Sequence, residues 1–192
     1  AGADAYTSWG RWTSGRIELT VLGLQARLTL TANHGVHYLV GVPSATVPTS
    51  GTFAYELIGS TRPTLSTGVV SPGTFTATAG VAFGPGQPAR VGLDATVSLG
   101  SASYAFATPG GAANPGRSTL TTGAGHAFAG SVQAIQAGSG AITCGAGGCP
   151  VDLQGGLFGP NGARLGLSYQ IQAPTGGSTI SGVGVFAQQP AT

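Results

Sequence analysis

Lysine is absent from this chain. All seven basic residues are arginine, spread singly from Arg11 to Arg164. Charged residues of either sign make up 6% of the 192 residues, and the formal net charge is +2. That excludes the clustered basic footprint with which proteins neutralise nucleic-acid phosphates. It also excludes a Walker-type phosphate loop, which needs its lysine, so the glycine-rich pieces at 138–140 and 145–148 are not nucleotide cradles. No apolar run reaches the length of a membrane-crossing helix, and no signal-peptide pattern opens the chain. Nowhere does a 3.6-residue apolar period persist for three turns, so little or no helix is expected.

Cysteine is scarce. The two present bracket a short flexible loop, Cys144-Gly145-Ala146-Gly147-Gly148-Cys149. Such a loop lets the sulfurs meet, and a small disulfide ring is the first reading, which implies an oxidising compartment. A two-thiol metal site is the rival, but it lacks a second pair of ligands. A real disulfide would also imply that a signal or upstream region precedes Ala1 in the precursor.

What the chain has is glycine, proline and alternation. With 35 Gly, 12 Pro and a hydrophobic fraction of 41%, it is too apolar for a disordered segment, and it has no Gly-X-Y period. The plainest stretch is Gly155–Ile171. An apolar strand runs into a Gly159-Pro160-Asn161-Gly162 corner, and a second strand leaves it with Leu165, Leu167, Tyr169 and Ile171 on one face. Those four are expected in the core. The same grammar recurs in Ile17/Leu19/Val21, Leu28/Leu30, Val36/Tyr38/Val40/Val42, Phe53/Tyr55/Leu57, Phe75–Phe83 and Val91–Leu99. Phe75–Phe83 and Val91–Leu99 join through Gly84-Pro85-Gly86-Gln87-Pro88, a hairpin turn. His126–Ile135, Val151–Phe158 and Ile180–Phe186 complete the set, and the polar stretch 108–125 reads as a long loop. Trp9 and Trp12 fall on opposite faces of a strand, one for a core and one for a seam.

About eight main strands joined as hairpins close most economically into an all-β, antiparallel up-and-down barrel, because closure removes exposed edges. Residues 1–192 form one domain, with 1–35 a leading segment and 36–192 the main barrel. A membrane-spanning barrel is disfavoured. The second faces of the strands at 73–83 and 90–99 carry Thr, Gly, Ser and Asp, and aromatic girdles are missing.

Phe158-Gly159-Pro160-Asn161 followed by Leu165-Gly166 resembles the signature of the transferrin-binding protein B-like barrel domain. Tyr6–Trp12 with its Trp9-Gly10-Arg11-Trp12, Val36–Pro43, Ser50–Tyr55 and the closing Gly182–Phe186 are similar to the C-terminal barrels of FecR-domain-containing proteins of Gram-negative bacteria. The resemblance implies an eight-stranded antiparallel barrel, non-enzymatic, at the cell surface, associated with the outer membrane, or secreted. Relatives of that kind bind host proteins, haem carriers or other ligands through loops. This chain departs at Gly162, where the family has Ala, and lacks the charged loops of transferrin receptors. Phe158, Gly159, Pro160, Asn161 and Gly166 shape a corner, so they transfer fold and not partner.

Chemistry is sparse. The acids Asp4, Glu18, Glu56, Asp94 and Asp152 are scattered, with no pair at useful spacing. His34 and His37 form an H-x-x-H pair that straddles a turn and a strand, which gives no metal site. His37, Tyr38 and Tyr55 are the candidate ligand-binding residues, and a haem iron is the cofactor they would suit, by the family analogy. The expectation is a binding module for a host or bacterial surface protein, or a haem-type ligand, through loops at 43–50, 59–73 and 108–125. The alternative is a structural or adhesive module of a larger surface protein, with no small ligand.

Overall fold

A computed structural model describes residues 1–21 and 24–190, the side chains of 19–26 and 28 excepted. The expected alternation of Leu19, Val21 and Leu28 concerns side chains outside that set. The chain opens with β1 (Gly2–Ala3), β2 (Thr7–Trp12), β3 (Gly15–Val21), β4 (Leu24–Leu30) and β5 (Val36–Gly41). In the small sheet the order is β1-β2-β5, while β3 and β4 pair with each other. The β3–β4 pair thus falls within the sequence span of the β2–β5 pair, with breaks around Thr13–Ser14 and Thr31–Gly35.

Then follow β6 (Gly51–Ser60), β7 (Thr64–Leu65), β8 (Thr74–Gly84), β9 (Gln87–Leu99), β10 (Ala102–Ala107), β11 (Ala127–Ala137), β12 (Cys149–Phe158), β13 (Arg164–Gln172) and β14 (Thr179–Gln188). All but β7 pair with their neighbours in sequence, and β14 returns to pair with β6. The result is the closed eight-stranded antiparallel barrel that the alternation predicts. The β8–β9 turn is tight: Gly84 pairs with Gln87, and Gly86 takes φ +65, a conformation only glycine adopts cheaply. Val36–Gly41, expected to open the barrel, lies outside the ring and in the small sheet.

Side chains fill the barrel. Leu165, Leu167, Tyr169 and Ile171 point inward and are buried, as their alternation requires. They meet Tyr55, Tyr104, Leu153 and Phe186, all fully buried. Phe75 stacks on Tyr169 with ring centroids 4.6 Å apart. Each such residue contributes roughly 1.5–3 kcal/mol by leaving water. Glycine in β14 follows from this packing. A Cβ at Gly182 would stand 2.3 Å from the Tyr169 hydroxyl, and one at Gly184 2.8 Å from Phe75. β14 is buried on both faces, because Val183 and Val185 point outward beneath the small sheet.

The stretch 108–125 is not a free loop. Gly111, Ala112 and Pro115 lie over Gly80 and Gly92 on the outer wall of β8 and β9, where any side chain would collide. The Ser118 hydroxyl donates to the Val91 carbonyl at 2.6 Å, Val91 N–H donates to Leu120 at 2.8 Å, and both Ser118 and Leu120 are buried. Its polar composition hides these anchors, because they are made by single serines, threonines and backbone groups. Among the described residues helix is confined to single 3-10 turns at Pro115–Arg117, Ala124–His126 and Pro160–Gly162. None is long or apolar enough to cross a membrane. The outer faces of β8 and β9 carry Thr74, Thr76, Thr78, Thr96 and Ser98.

Candidate functional site

The small sheet has two unlike faces. Toward the barrel it presents Trp9 and Leu39, packed on Val183 and Val185. The indole of Trp9 lies flat over Gly2 and Gly59, where a Cβ would come within 2.5 and 2.2 Å of Cζ2. Away from the barrel it presents Trp12, Tyr38, Val40 and Val42. Trp12 and Tyr38 have ring centroids 5.5 Å apart. Gly10, opposite Tyr38 in the ladder, leaves space for that phenol. Trp12 is 59% exposed, Val40 59% and Val42 62%.

Both tryptophans therefore correct the expectation in part. Trp9 plugs a seam, but Trp12 enters neither core nor seam. Val36, Tyr38, Val40 and Val42 do share a face, yet it is the solvent face. Apolar alternation normally marks the buried row. Here the row against the barrel is His37, Leu39 and Gly41, since the wall beneath already supplies bulk: Phe158 fills the place of a side chain at Gly41.

The corner that the sequence singles out fastens this sheet. Gly159 N–H donates to the Val42 carbonyl at 2.9 Å, Ser44 N–H to Leu157 at 3.0 Å, and the Ser44 hydroxyl to the Gly159 carbonyl at 2.7 Å. Gly159 and Asn161 take positive φ, 71 and 54, which glycine and asparagine tolerate best. Gly166 makes room for Leu39 and Phe158. Asp4 adds a second clamp. Its carboxylate accepts from Tyr6 and Thr7 N–H and pairs with Arg164, whose guanidinium lies over the Tyr6 ring. Burial alone would raise the Asp4 pKa, but Arg164 and the Tyr6 and Thr7 donors outweigh it and hold the carboxyl well below the usual range.

His37 sits half-buried on the barrel side of β5. Its Nδ1 lies 2.7 Å from the Thr61 hydroxyl and its Nε2 2.9 Å from the Thr64 hydroxyl. Burial, and then the charge of Arg11 across the ladder, push it from 6.5 down to about 4. The imidazole is thus neutral in the fold near neutral pH. The unfolded chain takes up a proton first as pH falls. Stability is therefore fully present above 6.5 and is lost as pH falls toward about 4. Allowing for solvent screening, the loss should reach about 2 kcal/mol. Urea unfolding at neutral pH and again near the lower limit should show it, with a flatter dependence in His37→Gln. Equal stability at both pH values would contradict the burial of a neutral imidazole.

Tyr55 lies in the barrel interior, where its hydroxyl donates to the Gly162 carbonyl at 2.7 Å and burial raises its pKa. Tyr38 is on the far face of the small sheet. His37, Tyr38 and Tyr55 therefore do not meet, and both nitrogens of His37 are already engaged. These residues do not fit a haem iron. Among the described residues, no three His, Cys, Asp or Glu side chains gather closely enough to hold a metal.

Cys144 and Cys149 are bonded, with Cα atoms 4.8 Å apart. The Cys144 N–H donates to Gln136 Oε1 at 2.7 Å, and Cys149 is buried where β12 starts, paired with Ala134 of β11. Sequence reasoning missed Arg11, Thr61 and Thr64 as neighbours of His37. The signal for the first was present: pairing Trp9-Gly10-Arg11-Trp12 against Val36–Leu39 as one hairpin sets Arg11 opposite His37.

No family model matches the chain. No curated protein matches it either. Among solved structures it is similar to a transferrin-binding protein B mutant from Haemophilus parasuis, at 15% identity and a TM-score of 0.45, over 97% of this chain and 34% of that one. It is similar as well to intact Ap-TbpB, with N and C lobes, at 13% identity and a TM-score of 0.46, over 95% of this chain and 39% of that one. For isotype 1 transferrin-binding protein B of serogroup B Neisseria meningitidis the values are 13% and 0.44, over 98% and 36%. The chain spans between 34% and 39% of the length of these proteins. So partial a superposition assigns no partner to this chain.

Proposed function

We propose that this chain is a non-enzymatic binding module, at the cell surface or secreted, that captures a host or bacterial surface protein on the outward face of its small sheet. The observation that carries the reading is the exposed Trp12–Tyr38–Val40–Val42 surface. Water-facing aromatic and branched side chains grouped in this way mark contact sites more often than chance exposure does. The filled barrel supports capture on the outside instead of storage within. The disulfide supports an oxidising, extracytoplasmic setting. Of the loops expected to bind, 108–125 is tied to the wall, which shifts the contact toward the small sheet. Placement as the C-terminal barrel of a FecR-domain-containing protein belongs to the same proposal, and the reading frame upstream of Ala1 would test it.

The test uses labelled chain titrated onto bacterial outer surfaces and onto immobilised serum proteins. Saturable binding is expected. The double variant Trp12→Ser, Val40→Ser should weaken it about tenfold or more while leaving the barrel folded. Equal binding by the variant would remove the face from consideration, and no saturable binding to either surface would sink the reading. The filled interior also favours a second reading, an adhesive module without a small ligand. Self-association of the free chain, abolished by the same variant, would select it.

A further inference from the structure

We propose that Arg11 forms an oxyanion-binding site at the seam between the small sheet and the 60–68 segment, with the positive charge of Arg62 in that segment assisting, and that it takes a single carboxylate or phosphate group. Arg11 stands opposite His37 in the β2–β5 ladder. Its arm runs over Gly35, where a Cβ would stand 2.5 Å from Cδ, so the missing side chain at 35 is the cradle for it. At the end of that arm, Nη1 is out of solvent and has no hydrogen-bond partner among the described residues. A charged donor left in that condition costs more than a neutral one, and folded proteins rarely tolerate it without an acceptor from elsewhere.

Among the described residues no acceptor bonds this group. Both His37 nitrogens are engaged by Thr61 and Thr64. Four of the five acids are occupied elsewhere, Asp4 with Arg164, Glu18 with Arg27, Asp94 with Ala112 N–H and Asp152 with Gln172, and the fifth, Glu56, is exposed on β6. Instead of a counter-charge, the seam holds a second cation. Arg62 is held by a 2.7 Å hydrogen bond from its Nη2 to the Pro72 carbonyl. Burial first, and then the field of Arg62, lower the Arg11 pKa, though a guanidinium stays charged at neutral pH. A guanidinium donor shut off from water and left without a partner, with a second cation in the adjoining segment and no carboxylate bonded to it, matches an oxygen anion. The site does not depend on the capture face, because Arg11 and Trp12 project to opposite sides of the small sheet.

Titration of the 15N-labelled chain with inorganic phosphate, and separately with acetate, tests this at constant ionic strength held with chloride. The Arg11 Nε–H signal and the amides of Gly35, Thr61 and Thr64 should shift saturably with at least one anion. Phosphate alone would indicate a phosphorylated ligand, and acetate alone a carboxylate. Arg11→Gln should abolish the response. Arg62→Gln, at an exposed position that leaves folding intact, should weaken it about tenfold. No saturable shift, the same shifts from chloride alone, or unchanged binding in both variants would overturn the proposal.

Discussion

Replacing Trp9 by Ala is expected to lower stability by about 3–5 kcal/mol and to loosen the small sheet from the barrel. Trp9 is 8% exposed and forms, with Val183, Val185 and Leu39, a cluster separate from the barrel core. Its indole is the largest apolar group at that junction, and Gly2 and Gly59 leave no side chain to collapse into the space it vacates. Hydrogen exchange distinguishes this outcome from general destabilisation. Amides of β2 and β5 should exchange faster, while those of β8 and β9 keep their protection. At roughly 2–4 °C per kcal/mol for a chain of this size, the melting transition should move by several degrees. An unchanged melting curve would show that Trp9 does not hold the seam.

Tyr169 yields two substitutions of opposite expected sign. Tyr169→Ala removes a fully buried ring that stacks on Phe75 and lies 6.0 Å from Phe106, and should cost about 3–5 kcal/mol. Tyr169→Phe keeps the ring and deletes a hydroxyl that has no partner among the described residues. Burial also raises that hydroxyl's pKa well above the ordinary phenol value. Deleting a desolvated, unpaired hydroxyl should leave stability unchanged or raise it by about 1 kcal/mol. Equilibrium unfolding of both variants checks the pair. A Phe variant less stable than the parent by more than about 1 kcal/mol would mean that the hydroxyl is satisfied after all.

The barrel was legible because its strands obey one rule. Leu165, Leu167, Tyr169 and Ile171, and likewise Val91 to Leu99, alternate with small or polar residues, and a strand that lines a closed, filled barrel has one dry face and one wet face. The turn at Pro85–Gly86 and the six-residue cysteine ring are local devices, so neighbouring residues announce them.

The candidate site was not legible in the same way. β5 alternates as cleanly as any barrel strand, yet its apolar row faces water and its mixed row faces protein. Alternation reports that two faces differ; it does not report which one another element will cover. The same holds for 108–125, whose polar residues read as solvent-facing until the walls at Gly80 and Gly92 receive them.

By itself, then, the sequence determined an all-β chain of hairpins with an inward apolar row, a disulfide-closed loop and a glycine–asparagine corner. These follow from backbone conformation and two-residue periodicity, which act over a few neighbours. The tertiary structure alone decided that β2 and β5 lie over β14, and that Trp9 is hidden while Trp12 is exposed. It also decided that His37 meets Thr61 and Thr64 while Arg11 Nη1 has no partner among the described residues. Those outcomes depend on contacts between segments far apart in the chain, where the space left by one glycine fixes the position of a ring many residues away.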